Sequence, residues 1–333
     1  MPFKSSPHSL VSCVTMAVLS ISAVSDAAPL TIPLWPAIPP HAPRQLDPKD
    51  QEVVVERGDG KQIVDRSIHN VHRPTLTVHV GAKRQGPPRA AVIICPGGGL
   101  TRIVIDKEGN DLARFLAPHG VIGVVLKFRT ARSATHFYGI RAMEADTQQA
   151  IRVVRERAAE WNIDPNRVGV FGFSAGGILA GAAATRYVLP DKPPGAVSRK
   201  PNGIPSTKPD FLAAAYPLLT MKTEVAGKKY QQLLFGPNPT PHHIKDFSCD
   251  LKVTRDTPPT FLAHARDDRG VLVENTLLFA AACRRNGVPV TTFIRDKGGH
   301  GYGVRDLGTP INRWRFAFRD WLKSRKLTGP PVR

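Results

Sequence analysis

The sequence predicts an α/β protein: a mostly parallel, doubly wound sheet with helices on both faces. Three observations predict it. Apolar-rich runs at residues 90–95, 121–128, 168–171, 211–218, 260–265 and 290–295 read as strands, the first two of the continuous type buried on both faces in a parallel sheet. Stretches with helical spacing lie between and after them, at 110–118, 141–161, 276–286 and 311–325. The two kinds of element alternate along the chain, which the right-handed crossover rule turns into stacked βαβ units.

In chain order, Lys4 and His8 lead an apolar core over residues 10–24, followed by the small-residue cleavage sites Ala23-Val24-Ser25 and Ser25-Asp26-Ala27. This pattern predicts a signal peptide over 1–27 and an exported protein, periplasmic or extracellular, with a single domain over 28–333. No later segment is apolar enough to cross a bilayer, so no membrane contact is expected once the leader is removed. Residues 30–49 are Pro-rich and read as extended surface chain. Residues 52–80 alternate polar and apolar side chains around Asp59-Gly60, with the clearest strand at 73–80, and suggest an antiparallel hairpin opening the sheet. Two segments break the later rhythm. Residues 189–209, rich in Pro, Lys and Gly, read as an exposed loop; residues 222–247 hold a short helical stretch and Pro-rich turns placed to cover part of a site.

Charge and cysteine content bound the partners. With 46 Lys and Arg against 27 Asp and Glu, the formal charge is +19, which favours polyanions and suggests weak association with anionic polysaccharide. The basic residues are scattered, and no helix-turn-helix, zinc-finger or RNA-recognition pattern is present, so nucleic acid is not expected as a partner. Loss of the leader removes Cys13 and leaves Cys95, Cys249 and Cys283. Cys95 lies in a strand run, Cys249 and Cys283 are the candidate disulfide pair, and the spacings do not form a metal site.

The chemistry centres on Gly172-Phe173-Ser174-Ala175-Gly176, preceded by a strand run and followed by a small-residue helical stretch. This is the strand–turn–helix context of a G-x-S-x-G nucleophile elbow, in which glycines admit a sharp turn that presents the serine. A serine hydroxyl needs a base to take its proton. On such elbows the chain order is nucleophile, acid, histidine, and only His300 lies C-terminal to the acidic pair Asp267-Asp268. His300 sits in Gly298-Gly299-His300-Gly301-Tyr302-Gly303, just after a strand; Asp267 and Asp268 end another. Two adjacent acids on a turn point in different directions, so one orients the imidazole and the other caps the turn or meets solvent. His264 reads as a packing or hydrogen-bonding residue. The oxyanion of an acyl-transfer intermediate needs donors; the Ala175 N–H is one, and Gly98 or Gly99, in the Pro96-Gly97-Gly98-Gly99 turn after a strand, the other. Neither the G-x-G-x-x-G spacing nor a Lys-Ser/Thr ending accompanies that turn, which argues against a nucleotide site.

Together, Ile93-Ile94-Cys95-Pro96-Gly97-Gly98-Gly99, Gly172-Phe173-Ser174-Ala175-Gly176-Gly177, the run from Pro258 to Ala265 and Gly298-Gly299-His300-Gly301 resemble the secreted bacterial α/β-hydrolases. More narrowly they are similar to the branch of acetyl esterases and acetyl-xylan-esterase-like enzymes, often labelled xylanases, as is Leu34-Trp35-Pro36. The resemblance spans roughly residues 32–325. It implies an α/β-hydrolase fold and a serine carboxylesterase acting on short-chain, chiefly acetyl, esters of carbohydrates through an acyl-enzyme, without metal or organic cofactor. The spacing of Asp268 from His264 and Val271 resembles the branch's strand-end motif and favours Asp268 over Asp267. Two positions depart from the branch: Leu100 replaces an aromatic residue after the triple glycine, and Ile178 replaces a histidine after Ser-Ala-Gly-Gly, both expected near the mouth of the site. The competing expectations are a small peptidase of the prolyl-oligopeptidase type and an exported polyanion-binding protein with a relic elbow.

Overall fold

In the computed structural model the described residues are 28–329, except 41, 60–62, 81–85, 132, 134–135 and 188–204. The signal peptide expected over 1–27, Gly60 of the expected hairpin and most of the loop expected at 189–209 therefore lie outside them.

Among the described residues eight strands form the main sheet. They are β1 (Leu30–Pro33), β4 (Thr75–His79), β5 (Arg89–Cys95), β7 (Ile122–Lys127), β8 (Ile163–Phe173), β9 (Leu212–Ala215), β10 (Thr260–Ala265) and β11 (Val290–Arg295), in the spatial order β1-β4-β7-β5-β8-β9-β10-β11. From β7 to β11 all neighbours are parallel, with Ile93 of β5 opposite Val124 on one side and Val170 on the other. β4 and β1 extend the sheet antiparallel at the β7 edge. The apolar runs read from the sequence are these central strands, and β10 and β11 keep their expected limits. Every residue of β5 from Ala90 to Cys95 is fully buried, as a strand covered on both faces requires.

The expected opening hairpin is divided between two sheets. β2 (Val53–Glu56) and β3 (Arg66–His69) do pair antiparallel, but with β6 (Arg102–Val104) they make a separate three-stranded sheet. The cause is visible in burial: Val53, Val54 and Val55 stay exposed, whereas Leu76 and Val78 of β4 supply a buried face and join the core.

Among the described residues seven α-helices accompany the strands: α1 (Asp111–Leu116), α2 (Gly139–Glu156), α3 (Gly176–Thr185), α4 (Thr223–Phe235), α5 (Pro241–Phe247), α6 (Glu274–Arg285) and α7 (Trp314–Ser324). They lie on both faces. Phe171 and Phe173 of β8 point to one side, where their rings meet Trp314 of α7 at 5.5 and 5.8 Å. Gly172 between them faces α3, where a Cβ would stand 2.6 Å from the Gly177 Cα. On α2, Ile140, Met143, Ile151 and Val154 recur at helical spacing and are buried, so burial of this stripe rather than propensity holds the helix. None of the helices among the described residues is long and apolar enough to cross a membrane.

The strand order places the site. From β5 the chain crosses to β7 on one side, then returns to β8 on the other, so β5 and β8 flank a topological switch point. In open α/β sheets the crevice at the carboxyl ends of such strands is where ligands bind. Those ends carry Pro96-Gly97-Gly98-Gly99 and Ser174.

Candidate active site

Ser174 lies between the end of β8 and the start of α3, with φ +49° in the left-handed region that non-glycine residues rarely adopt. Surrounding backbone holds it there: its N–H donates to the Ala215 carbonyl at 3.2 Å, and its carbonyl accepts from Gly177 at 2.9 Å and Leu218 at 2.8 Å. Gly176 lets α3 approach the end of β5; a Cβ there would stand 2.2 Å from the Cys95 carbonyl oxygen and 2.5 Å from that of Pro96.

The structure brings Ser174, His300 and Asp268 into one hydrogen-bonded chain. Ser174 Oγ is 2.8 Å from His300 Nε2, and His300 Nδ1 is 2.8 Å from Asp268 Oδ2. A carboxylate facing Nδ1 keeps the proton on that nitrogen, which leaves Nε2 free to accept from the serine. Asp268 is 2% exposed and accepts further hydrogen bonds, through Oδ1 from Gly270 at 2.8 Å and Val271 at 2.9 Å and through Oδ2 from His264 at 3.2 Å. Burial pushes its carboxyl up, but the hydrogen bonds from His264, His300 and Val271 outweigh this and hold its pKa down at about 2. Asp267 is exposed instead, and its Oδ1 caps the His300 loop by accepting from the Gly299 N–H at 2.8 Å. The two neighbouring acids therefore point apart.

His264 is fully buried. Its Nε2 faces the Val271 carbonyl at 2.9 Å as well as Asp268, and its Nδ1 faces the Thr276 hydroxyl at 2.8 Å. That pattern places its proton on Nε2 and makes it a brace for Asp268. Ala175 is buried at the N-cap of α3, and Gly98 and Gly99 line the cavity beside Ser174. The N–H groups of Ala175, Gly98 and Gly99 have no hydrogen-bond acceptor among the described residues.

Sequence reasoning missed three contributors. Glu108, 4% exposed, accepts from the Gly97 N–H at 2.9 Å and from the Tyr216 hydroxyl at 3.0 Å. The Gly303 N–H in turn donates to the Tyr216 oxygen at 3.0 Å, so Tyr216 and Glu108 tie the His300 loop to the triple-glycine turn. Burial pushes the Glu108 carboxyl up, while Lys107, Tyr216, His300 and Gly97 pull it down. The Tyr216 ring also meets His300 edge-on, with centroids 5.0 Å apart. Gly270 is the third: a Cβ there would stand 2.8 Å from His300 Cγ, so only glycine lets that turn pass against the imidazole. Glu108 reads in sequence as part of a charged surface run, and no local pattern marks Tyr216 or Gly270.

The cavity has a volume of about 1020 Å3 and is walled by the triple-glycine turn, the His300 loop and α4 with the turn after it, through Lys229, Tyr230, Leu233 and Pro237. The segment 222–247 thus covers part of the site. Leu100 and Ile178 are both fully buried and neither lines the cavity, so these two departures change the core beside the site and not its mouth. The disulfide suggested for Cys249 and Cys283 is absent: both, with Cys95, are free buried thiols. Burial pushes Cys95 and Cys249 up to about 12. Among the described residues no group of three or more metal-ligating side chains is assembled.

Comparison with known proteins places the chain among esterase-like relatives. The chain is 30% identical over 245 residues to an acetylxylan esterase of Xylanibacter ruminicola, covering 72% of this chain and 46% of that protein. It is 30% identical over 219 residues to endo-1,4-beta-xylanase B of Butyrivibrio fibrisolvens, covering 65% of this chain and 33% of that one. The chain thus spans between a third and a half of the length of these curated relatives. Among solved structures, it is similar to an acetyl ester-xyloside bifunctional hydrolase from Caldicellulosiruptor lactoaceticus, with 31% identity, a TM-score of 0.72, and coverage of 91% of this chain and 98% of that one. A thermophilic esterase of Thermogutta terrifontis shares the fold at 22% identity and a TM-score of 0.63, over 86% of this chain and 97% of that one. The BD-FAE family matches residues 76–282, more than half of the sequence, and the chain belongs to that family, with the α/β-hydrolase fold.

Proposed function

We propose that the protein is an exported serine carboxylesterase that removes short acyl groups, chiefly acetyl, from carbohydrate esters. The observation that carries this reading is the hydrogen-bonded chain from Ser174 Oγ through His300 to the buried Asp268 carboxylate. It stands at the switch point beside amide donors with no acceptor among the described residues. The names of the acetylxylan esterase and acetyl ester-xyloside hydrolase relatives support the ester and the sugar.

In this reading Ser174 Oγ attacks the ester carbonyl while His300 Nε2 takes its proton. Asp268 holds the imidazole tautomer and stabilises the imidazolium. The N–H of Ala175, with that of Gly98 or Gly99, receives the oxyanion. The imidazolium passes its proton to the departing sugar hydroxyl, leaving the acyl group on Ser174. Water then gives a proton to His300, its oxygen attacks the acyl carbon, and Ser174 departs with that proton as the acid is released. Every step uses side chains and amides of this chain. The leader pattern at residues 1–27 supports export of the unit over 28–333.

Hydrolysis of p-nitrophenyl acetate and labelling by a fluorophosphonate test the proposal. Ser174→Ala and His300→Ala are each expected to lose at least about 10³-fold in turnover with circular dichroism unchanged, and Ser174→Ala to lose the label. Wild-type rates in either variant would remove the assigned roles.

A further inference from the structure

The wall of the cavity beside Ser174 is strongly and one-sidedly charged. Arg57, Arg102, Lys107 and Lys229 all line it, and the only acid among the lining residues is Glu108. These cations come from separate elements: Arg57 follows β2, Arg102 opens β6, Lys107 precedes α1 and Lys229 lies on α4. Arg57 is paired with Asp65 at 2.9 Å, whereas Arg102, Lys107 and Lys229 form no salt bridge among the described residues. Glu108 offsets one of these charges, its two oxygens accepting from Gly97 and Tyr216. Charge left uncompensated around a reacting centre draws ligands of opposite sign.

We propose that the preferred substrate is an acetylated saccharide that itself carries a carboxylate, as a hexuronic acid does, an inference that rests on the esterase reading above. An acetyl group has no room for a charge, so the anion belongs to the leaving alcohol, the sugar. A cavity of about 1020 Å3 is only about 12 Å across, close to the Debye length of about 10 Å at 0.1 M salt. A carboxylate bound anywhere in it therefore feels several of the four cations at once. The same setting makes the preference sensitive to salt, because Arg57 and Lys229 are exposed and Arg102 and Lys107 only half-buried.

The test compares kcat/KM for acetate release from matched oligosaccharides. The arms are acetylated xylo-oligosaccharide without and with a glucuronic acid branch, and acetylated oligogalacturonide, with p-nitrophenyl acetate reporting the basic esterase activity. At about 20 mM salt one or both uronate substrates are expected to exceed the neutral one by about tenfold, and the larger value identifies the source of the carboxylate. About 0.5 M NaCl is expected to bring the ratio towards one. Arg102→Gln combined with Lys229→Gln is expected to lower the uronate-to-neutral ratio at least about threefold, each variant being normalised to its own rate on the neutral oligosaccharide. A ratio of one or less at low salt for both uronates, with p-nitrophenyl acetate still hydrolysed, overturns this inference alone. An enzyme inactive on every ester, p-nitrophenyl acetate included, overturns the esterase reading and this inference with it.

Discussion

Replacing Asp268 by Asn tests the site most sharply, because the change is nearly isosteric and the structure specifies what it breaks. The carboxylate accepts from four donors: His300 and His264 at Oδ2, and the Gly270 and Val271 amides at Oδ1. An asparagine has one acceptor oxygen, so one of these pairs must face its NH2. If the oxygen stays with the amides, the NH2 group meets His300 Nδ1, which must then give up its proton to accept. The proton moves to Nε2, and the imidazole can no longer take a proton from Ser174. A wrong tautomer of this kind costs about 10⁴-fold in kcat, about 5.5 kcal/mol of barrier. If the oxygen instead stays with the histidines, two buried amides lose their acceptor, at about 1–3 kcal/mol of stability for each group left unsatisfied. The first arrangement costs the fold less, so turnover of p-nitrophenyl acetate should fall about 10³- to 10⁴-fold while the circular dichroism remains that of the folded protein. Asp267→Asn is the control. Its single contact, from the Gly299 N–H, survives in asparagine, and it should remain within about threefold of wild type. An Asp268→Asn enzyme within tenfold of wild type, or an Asp267→Asn enzyme slower than it, would refute the tautomer argument.

Two further predictions concern stability and the approach of α3 to β5. The folded-state pKa of Asp268 is about 2, below the ordinary value of 3.8, so its charged form stabilises the fold. That contribution, about 2 kcal/mol for this shift, is complete above about pH 4 and is lost as the pH falls towards 2. The wild-type urea midpoint should therefore drop more steeply between about pH 4.5 and 2.5 than that of Asp268→Asn, and parallel curves would count against it. Gly176→Ala would drive a methyl to within 2.2 Å of a backbone carbonyl oxygen in β5. It should lose about 1–3 kcal/mol of stability and at least tenfold in turnover by displacing the triple-glycine turn; a variant matching wild type in both melting and rate would contradict that packing.

Much of this architecture was legible in the sequence, because local signals carried it. The apolar runs of β5, β7, β8, β10 and β11 and the helical stripe of α2 are periodicities, and periodicity survives without tertiary information. Where tertiary contacts decide, local pattern was insufficient. The alternation over Val53–Glu56 resembles that of Thr75–His79, yet the first leaves its valines exposed in a small separate sheet and the second enters the core. Cys249 and Cys283 lie 34 positions apart in the chain, and spacing alone could not say that both are free and buried. The choice between Asp267 and Asp268 depends on which carboxylate turns inward, and the only signal in the sequence was the strand-end spacing. The total charge of +19 was plain, but the gathering of four cations on the cavity wall arises only when residues 57, 102, 107 and 229 are folded together.

Glu108 shows most clearly what a linear reading omits and why it matters for chemistry. Asp106-Lys107-Glu108 looks like a solvated charged run, yet the single-turn π-helix Asp106–Asn110 turns Glu108 inward. There its carboxylate takes the first amide of the triple-glycine turn, Gly97, so that amide is not available to a reacting carbonyl. Its other oxygen reaches Tyr216, which is fully buried and also accepts from the His300 loop. The turn that presents the Gly98 and Gly99 amides and the loop that presents the imidazole are thus referenced to one buried pair. Loops this rich in glycine would otherwise be free to move independently, and a site that depends on their relative placement to within about half an ångström needs such a tie. With Gly97 committed to Glu108, the amides of that turn left without an acceptor among the described residues are those of Gly98 and Gly99.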